Sequence, residues 1–82
     1  MQVEILTPME TLFSGEAKLV KVPGSSGSFE ILKNHAFIIS ALTEGELKVI
    51  TETDETLKYK MHGGVVEVKN NHVVVLAESV DK

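Results

Sequence analysis

Turn-forming residues recur along this chain at intervals that suit strands and leave little room for helices. The clusters are Pro23-Gly24-Ser25-Ser26-Gly27, Lys33-Asn34-His35, Thr43-Glu44-Gly45, Thr53-Asp54-Glu55, Gly63-Gly64 and Asn70-Asn71. Each supplies Gly, Asn, Asp or Ser where a backbone needs positive φ or a local side-chain cap. The segments between them are short and rich in β-branched residues. This spacing predicts an all-β sandwich or barrel.

Alternation within the segments supports that reading. Leu47 and Val49 oppose Glu46 and Lys48; Leu57, Tyr59 and Met61 oppose Lys58 and Lys60; Val66 and Val68 oppose Glu67 and Lys69. A period of two means that one face packs on a core and the other meets water. The run Val73-Val74-Val75-Leu76-Ala77 does not alternate, which predicts a central strand covered on both sides. Asn70-Asn71 is placed to close a two-residue hairpin before it. Thr7-Pro8-Met9-Glu10 matches a capping box with proline at the first helical position. A helix there would meet Ser14-Gly15 after about two turns, too short to be stable alone, so a turn between strands is expected.

A chain of 82 residues, 43% of them apolar, supports one core, and residues 1–82 are expected to form a single domain. Its formal charge is −4, and all eight of its basic residues are lysines. Arginine is the preferred fork for phosphates and guanine edges, and an acidic surface repels a nucleic-acid backbone, so nucleic-acid binding is not expected. With no cysteine there are no disulfides or thiolate metal sites. The first residues lack the basic-then-apolar pattern of a signal peptide. The longest apolar runs fall far short of the roughly 20 residues of a spanning helix, which predicts a soluble chain without membrane insertion.

No catalytic constellation emerges. His35, His62 and His72 are too dispersed for a local metal motif. The Gly24-Ser25-Ser26-Gly27-Ser28 loop lacks the Gly-Lys-Ser/Thr continuation of a phosphate cradle and leads into the strand-like Phe29-Glu30-Ile31-Leu32. There is no Gly-x-Ser-x-Gly, and Glu44/Glu46 and Asp54/Glu55 sit at turns, where solvated faces explain them. No cofactor and no metal are expected.

Several stretches, taken in order, resemble the epsilon subunit of F-type ATP synthases. They are Val3-Glu4-Ile5-Leu6-Thr7-Pro8, Leu12-Phe13-Ser14-Gly15-Glu16-Ala17, Val22-Pro23-Gly24, Asn34-His35-Ala36, Gly63-Gly64-Val65-Val66-Glu67-Val68 and Val73-Val74-Val75-Leu76-Ala77-Glu78-Ser79. The resemblance implies a flattened β-sandwich of about ten short, mostly antiparallel strands. It also implies a non-catalytic central-stalk subunit that binds the gamma subunit and contacts the c-subunit ring, coupling proton or sodium flow to ATP synthesis. By resemblance, Thr7, His35 and Ser40 fall at positions facing gamma. The same resemblance implies that the loop over 24–30 faces the ring, with Ser28 and Glu30 as the expected contacts. The complex would lie at the cytoplasmic face of the bacterial inner membrane, with this chain as a peripheral part.

Relatives commonly carry prolines around the histidine, and these are absent from Lys33-Asn34-His35-Ala36-Phe37-Ile38. Many also continue into two C-terminal α-helices, whereas this sequence ends at Val80-Asp81-Lys82 and corresponds to the N-terminal sandwich alone. The alternative reading is a small all-β ligand- or protein-binding module unrelated to ATP synthase.

Overall fold

The structure, a computed structural model, describes residues 1–81. It contains β1 (Gln2–Leu6), β2 (Thr11–Gly24), β3 (Gly27–Leu32), β4 (Ile38–Thr51), β5 (Thr56–Lys69), β6 (His72–Ala77) and β7 (Val80–Asp81). The class is the expected one; the strand count is not. Seven strands replace about ten, because β2, β4 and β5 are each 14 residues long and run through positions that the sequence marks as breaks.

Two of those marks are corrected. Thr43-Glu44-Gly45 and Gly63-Gly64 lie inside β4 and β5, and the β4–β5 register holds on either side of them, with Leu42 opposite Gly64 and Glu44 opposite His62. The glycines answer a close approach. Gly63 and Gly64 have φ of 88° and 149°, and a Cβ on Gly64 would run into the Leu76 carbonyl oxygen of β6. Only a residue without a side chain lets β5 bend beneath β6 here. Likewise, a Cβ on Gly45 would stand 2.7 Å from the Pro23 side chain.

These bends let the long strands serve two layers. Neighbours run β1-β6-β5-β4-β2, and β2 pairs again with β1, which closes the ring. All pairings are antiparallel except β1 with β6. The first layer holds β1, β6, the start of β2, the first part of β4 and the last part of β5. The second holds β3, the end of β2, the last part of β4 and the first part of β5. Closure leaves few free backbone edges, chiefly the outer side of β3. β7 continues the path of β6 along β5: His62 N–H donates to Ser79 O at 3.0 Å and Glu78 N–H to Gly63 O at 3.0 Å.

The core lies between the layers. Val3, Ile5, Val20, Val22, Ile31, Leu47, Val49, Met61, Val66, Val73 and Val75 are wholly inaccessible. The predicted alternations over 45–51, 57–61 and 65–69 all point as expected, with Leu57 and Tyr59 half-buried. Residues 73–77 correct the prediction. Val73, Val75 and Ala77 are buried, while Val74 is half-buried and Leu76 is 48% exposed. β6 lies between β1 and β5, but only its inner face meets a second layer; its apolar outer face is uncovered among the described residues.

The turns behave as their chemistry dictates. Asn70 and Asn71 both take positive φ, 51° and 63°, in the two-residue link between β5 and β6. Residues 7–10 form a turn: the Thr7 hydroxyl oxygen accepts from Met9 N–H at 3.3 Å and Glu10 N–H at 3.2 Å.

Candidate partner interface

The outer face of the first layer follows from register. Residues directly opposite each other in neighbouring strands point the same way. Ala41 on β4 is opposite Val65 on β5, Val65 is opposite Leu76 on β6, and Leu76 is opposite Leu6 on β1. These four apolar side chains form one row across four strands. The adjacent row reads Ile39, Glu67, Val74 and Glu4, and Ile39 is 59% exposed. A shallow hollow at the end of the first row is lined by Leu6, Thr7, Pro8, Gly64, Val65, Leu76, Ala77 and Glu78. The face is thus apolar along one line and flanked by acids, the pattern of a partner-binding surface more than of a solvated one.

The five residues singled out by resemblance distribute unevenly over this frame. Thr7 sits at the end of the apolar row, with its hydroxyl already engaged in its own turn. His35 lines a separate hollow with Asn34, Phe37, Lys69, Asn70 and Asn71. Its Nδ1 lies 2.9 Å from Ala36 O, a bond that needs the proton on Nδ1. Ser40 is half-buried and opposite the fully buried Val66, hence on the core-facing side of β4, and its hydroxyl donates to Ala41 O at 3.3 Å. Its neighbours Ile39 and Ala41 are the β4 side chains on the outer face. Ser28 shares a hollow with Ser40, Ile39 and Ala41 beside the β2–β3 hairpin. Glu30 stands further along β3, exposed and opposite Lys21. The structure therefore brings Ser28 and Ser40 together and places Thr7 and His35 in hollows of their own.

The hairpin over 24–27 is built for a fixed shape. Gly24 pairs with Gly27, Gly27 takes φ 125°, and Ser25 donates to Ala41 O through both its N–H and its hydroxyl at 3.2 Å. Its tip, Ser25 and Ser26, is exposed.

Charge on the surface is paired in places. His72 Nε2 lies 2.8 Å from Glu4 Oε1, and His62 Nε2 lies 3.0 Å from Asp81 Oδ2. Lys18 Nζ donates to Asp54 Oδ1 at 2.7 Å, and that hydrogen bond, with the carboxylate's charge, raises the lysine's pKa. Among the described residues no group of three His, Cys, Asp or Glu could hold a metal ion, and no helix is long and apolar enough to cross a membrane.

The missed signal was the apolar row. Leu6, Val65 and Leu76 are unremarkable in their own segments and become a surface only when three strand registers are combined.

Comparison with known proteins agrees with this architecture. The family described as ATP synthase, Delta/Epsilon chain, beta-sandwich domain, matches residues 1–82. The chain is 33% identical over 81 residues to the ATP synthase epsilon chain of Brevibacillus brevis, covering 99% of this chain and 61% of that one. It is 34% identical over 79 residues to that of Chlorobium limicola, covering 96% and 90%. With epsilon chain 1 of Methylococcus capsulatus the identity is 38% over 79 residues, covering 96% and 56%. The chain thus spans about three fifths of some curated relatives and nine tenths of another.

Among solved structures, a chain of the Euglena gracilis mitochondrial ATP synthase, OSCP/F1/c-ring, superposes with TM-score 0.89 at 18% identity, over 96% of this chain and 51% of that one. A chain from the central stalk/c-ring of the Tetrahymena thermophila mitochondrial ATP synthase does so with TM-score 0.86 at 19% identity, over 100% and 66%. These two likenesses speak to the fold. The family match sets aside the alternative of an unrelated binding module. From the matched span of 1–82 and the identity to curated epsilon chains, the chain belongs to the beta-sandwich family of ATP synthase delta/epsilon chains.

Proposed function

We propose that this chain is a non-catalytic rotor subunit of an F-type ATP synthase, bound to gamma through the outer face of its first layer and resting on the c ring through its β2–β3 hairpin. In this role it helps couple proton or sodium flow to ATP synthesis, from the cytoplasmic side of a bacterial inner membrane. The observation that carries the reading is the row Ala41–Val65–Leu76–Leu6, an apolar line with exposed Leu76 in its middle and Thr7 at its end, in a chain whose whole length matches the family.

The geometry suits transmission of force. A ring of strands closed by β1–β2 pairing has no hinge between its layers, so load applied at one face reaches the other through backbone hydrogen bonds. Burial of Leu76 and Ile39 against a partner would remove apolar surface from water at roughly 25 cal/mol per Å². The hairpin tip supplies a polar, shape-stable contact, with Ser28 and Glu30 pointing outward beside it.

The test is co-expression of the tagged full chain with gamma and c subunits. Recovery of both is expected. Cysteines replacing Ser28 and Glu30 should cross-link to c subunits, and cysteine replacing Leu76 to gamma. Recovery of neither subunit overturns the reading; cross-links from Ser28 to catalytic-head subunits alone reverse the orientation.

A further inference from the structure

The second layer has an outer face of its own, and apart from Glu30 at its β3 end it is not used by the contacts above. Lys21 on β2 stands opposite Lys48 on β4, and Lys48 stands opposite Lys58 on β5. Like charges placed directly opposite in a sheet destabilise it, and the arrangement occurs here in a chain of net charge −4. Two other lysines find acids, Lys18 reaching Asp54 at 2.7 Å and Lys60 reaching Glu44 at 3.8 Å; among the described residues Lys33 and Lys69 do not, but neither stands directly opposite another lysine. Among the described residues Lys21, Lys48 and Lys58 have no carboxylate within 4.0 Å. Glu30 is opposite Lys21 at the end of the row without reaching it.

Two residues along each strand lies a second row, in which Leu32, Leu19 and Ile50 stand opposite one another in turn. Leu32 is 52% exposed. A cationic row and an apolar row therefore run side by side across neighbouring strands, about 7 Å apart given the rise per strand residue. Four strands at about 4.8 Å spacing span roughly 15 Å, the length of about ten helical residues. A helix laid along the rows would seat apolar side chains on Leu19, Leu32 and Ile50 and carboxylates on the lysines.

We propose that this face binds an acidic amphipathic helical segment of a partner protein. The lysine row is costly in the free chain and becomes favourable when an acidic partner supplies the missing counter-charge. A helical segment suits the face because its apolar stripe and its acidic flank can meet the two parallel rows, about 7 Å apart, at the same time. The proposal does not depend on the gamma contact, which lies on the other layer.

The experiment is an NMR titration of the ¹⁵N-labelled full chain with a helical peptide of about 18 residues, leucines on one stripe and glutamates along its flank. Shift changes are expected at Lys21, Lys48, Lys58 and Leu32. Affinity should fall about tenfold or more between about 50 and about 300 mM salt. Lys48→Glu should weaken binding at least about tenfold while raising the melting temperature of the free chain by about 1–4 °C, since it relieves the opposed charges. Lys48→Gln, which keeps the stem, should also lose affinity. Shifts confined to other residues, or unchanged binding by both variants, overturn the proposal. So does binding to vesicles of about three parts phosphatidylcholine to one part phosphatidylserine without binding to the peptide.

Discussion

The Asn71 side-chain carbonyl, Oδ1, accepts a hydrogen bond from the Asn34 backbone N–H at 2.8 Å, tying the β3–β4 connection to the β5–β6 hairpin. Both asparagines have positive φ, 65° and 63°, so each holds a backbone shape that most residues resist while one also bridges to the other. His35 lies beside this bridge, lining one hollow with Asn34 and Asn71, and its own backbone N–H donates to Leu32 O at 3.1 Å.

Asn71→Gly keeps the left-handed backbone and removes the bridge. It is expected to cost about 0.5–1.5 kcal/mol of stability, the worth of one hydrogen bond, while Asn71→Ala should cost about 1 kcal/mol more through backbone strain. Urea unfolding of the two variants checks this. Equal losses would show that the bridge, and not the conformation, is what Asn71 supplies; no loss in Asn71→Gly would show the reverse.

Gly64→Ala should be among the most damaging single changes in the chain. Its Cβ would strike the Leu76 carbonyl oxygen and crowd Ala77 Cα at 3.0 Å, and its φ of 149° is itself disfavoured for alanine. A loss of about 3 kcal/mol or more, or failure to fold, is expected. Thermal unfolding followed by circular dichroism measures it, and a loss under about 1 kcal/mol would contradict the close approach.

Asp54 separates charge from conformation. It sits at φ 65° and accepts from the exposed Lys18 at 2.7 Å. Asparagine tolerates that φ, so Asp54→Asn should leave the melting temperature within about 2 °C at neutral pH, as exposed pairs contribute little. Asp54→Ala should lower it by several degrees. The Lys18 pKa is raised in the folded chain, so its small stabilising effect is present at neutral pH and lost only as pH rises through that raised value, above the ordinary 10.5. The pair's contribution should therefore be the same at pH 7 and pH 9, so that the difference in melting temperature between them is equal in the parent chain and in Asp54→Asn.

Leu76→Glu tests the first-layer face. Leu76 is 48% exposed on the outer side of β6, so the fold should survive with little change in melting temperature. Recovery of gamma in co-expression should fall about tenfold or more, because a charge would be desolvated in the centre of the contact. Undiminished recovery would remove this row from the interface.

The sequence by itself determined the strand class, the facing of Leu47, Val49, Met61, Val66 and Val68, and the Asn70-Asn71 hairpin. Each of these is set by residues within a few positions of one another, through side-chain alternation or positive φ. What only the tertiary structure decided involves distant strands. Gly63-Gly64 reads locally as a turn and becomes a bend inside β5 because β6 passes over it. Residues 73–77 read as doubly covered, yet Leu76 faces outward because the second layer lies on one side of β6 alone. Ser40 stands opposite the buried Val66 and lines the hairpin hollow with Ser28, a neighbourhood that only the strand register and the β2–β3 hairpin create. The two outer rows, Ala41–Val65–Leu76–Leu6 and Lys21–Lys48–Lys58, do not exist along the chain at all. Side-chain period fixes which face a residue takes, but only cross-strand register fixes its neighbours, and register depends on contacts between strands far apart in sequence.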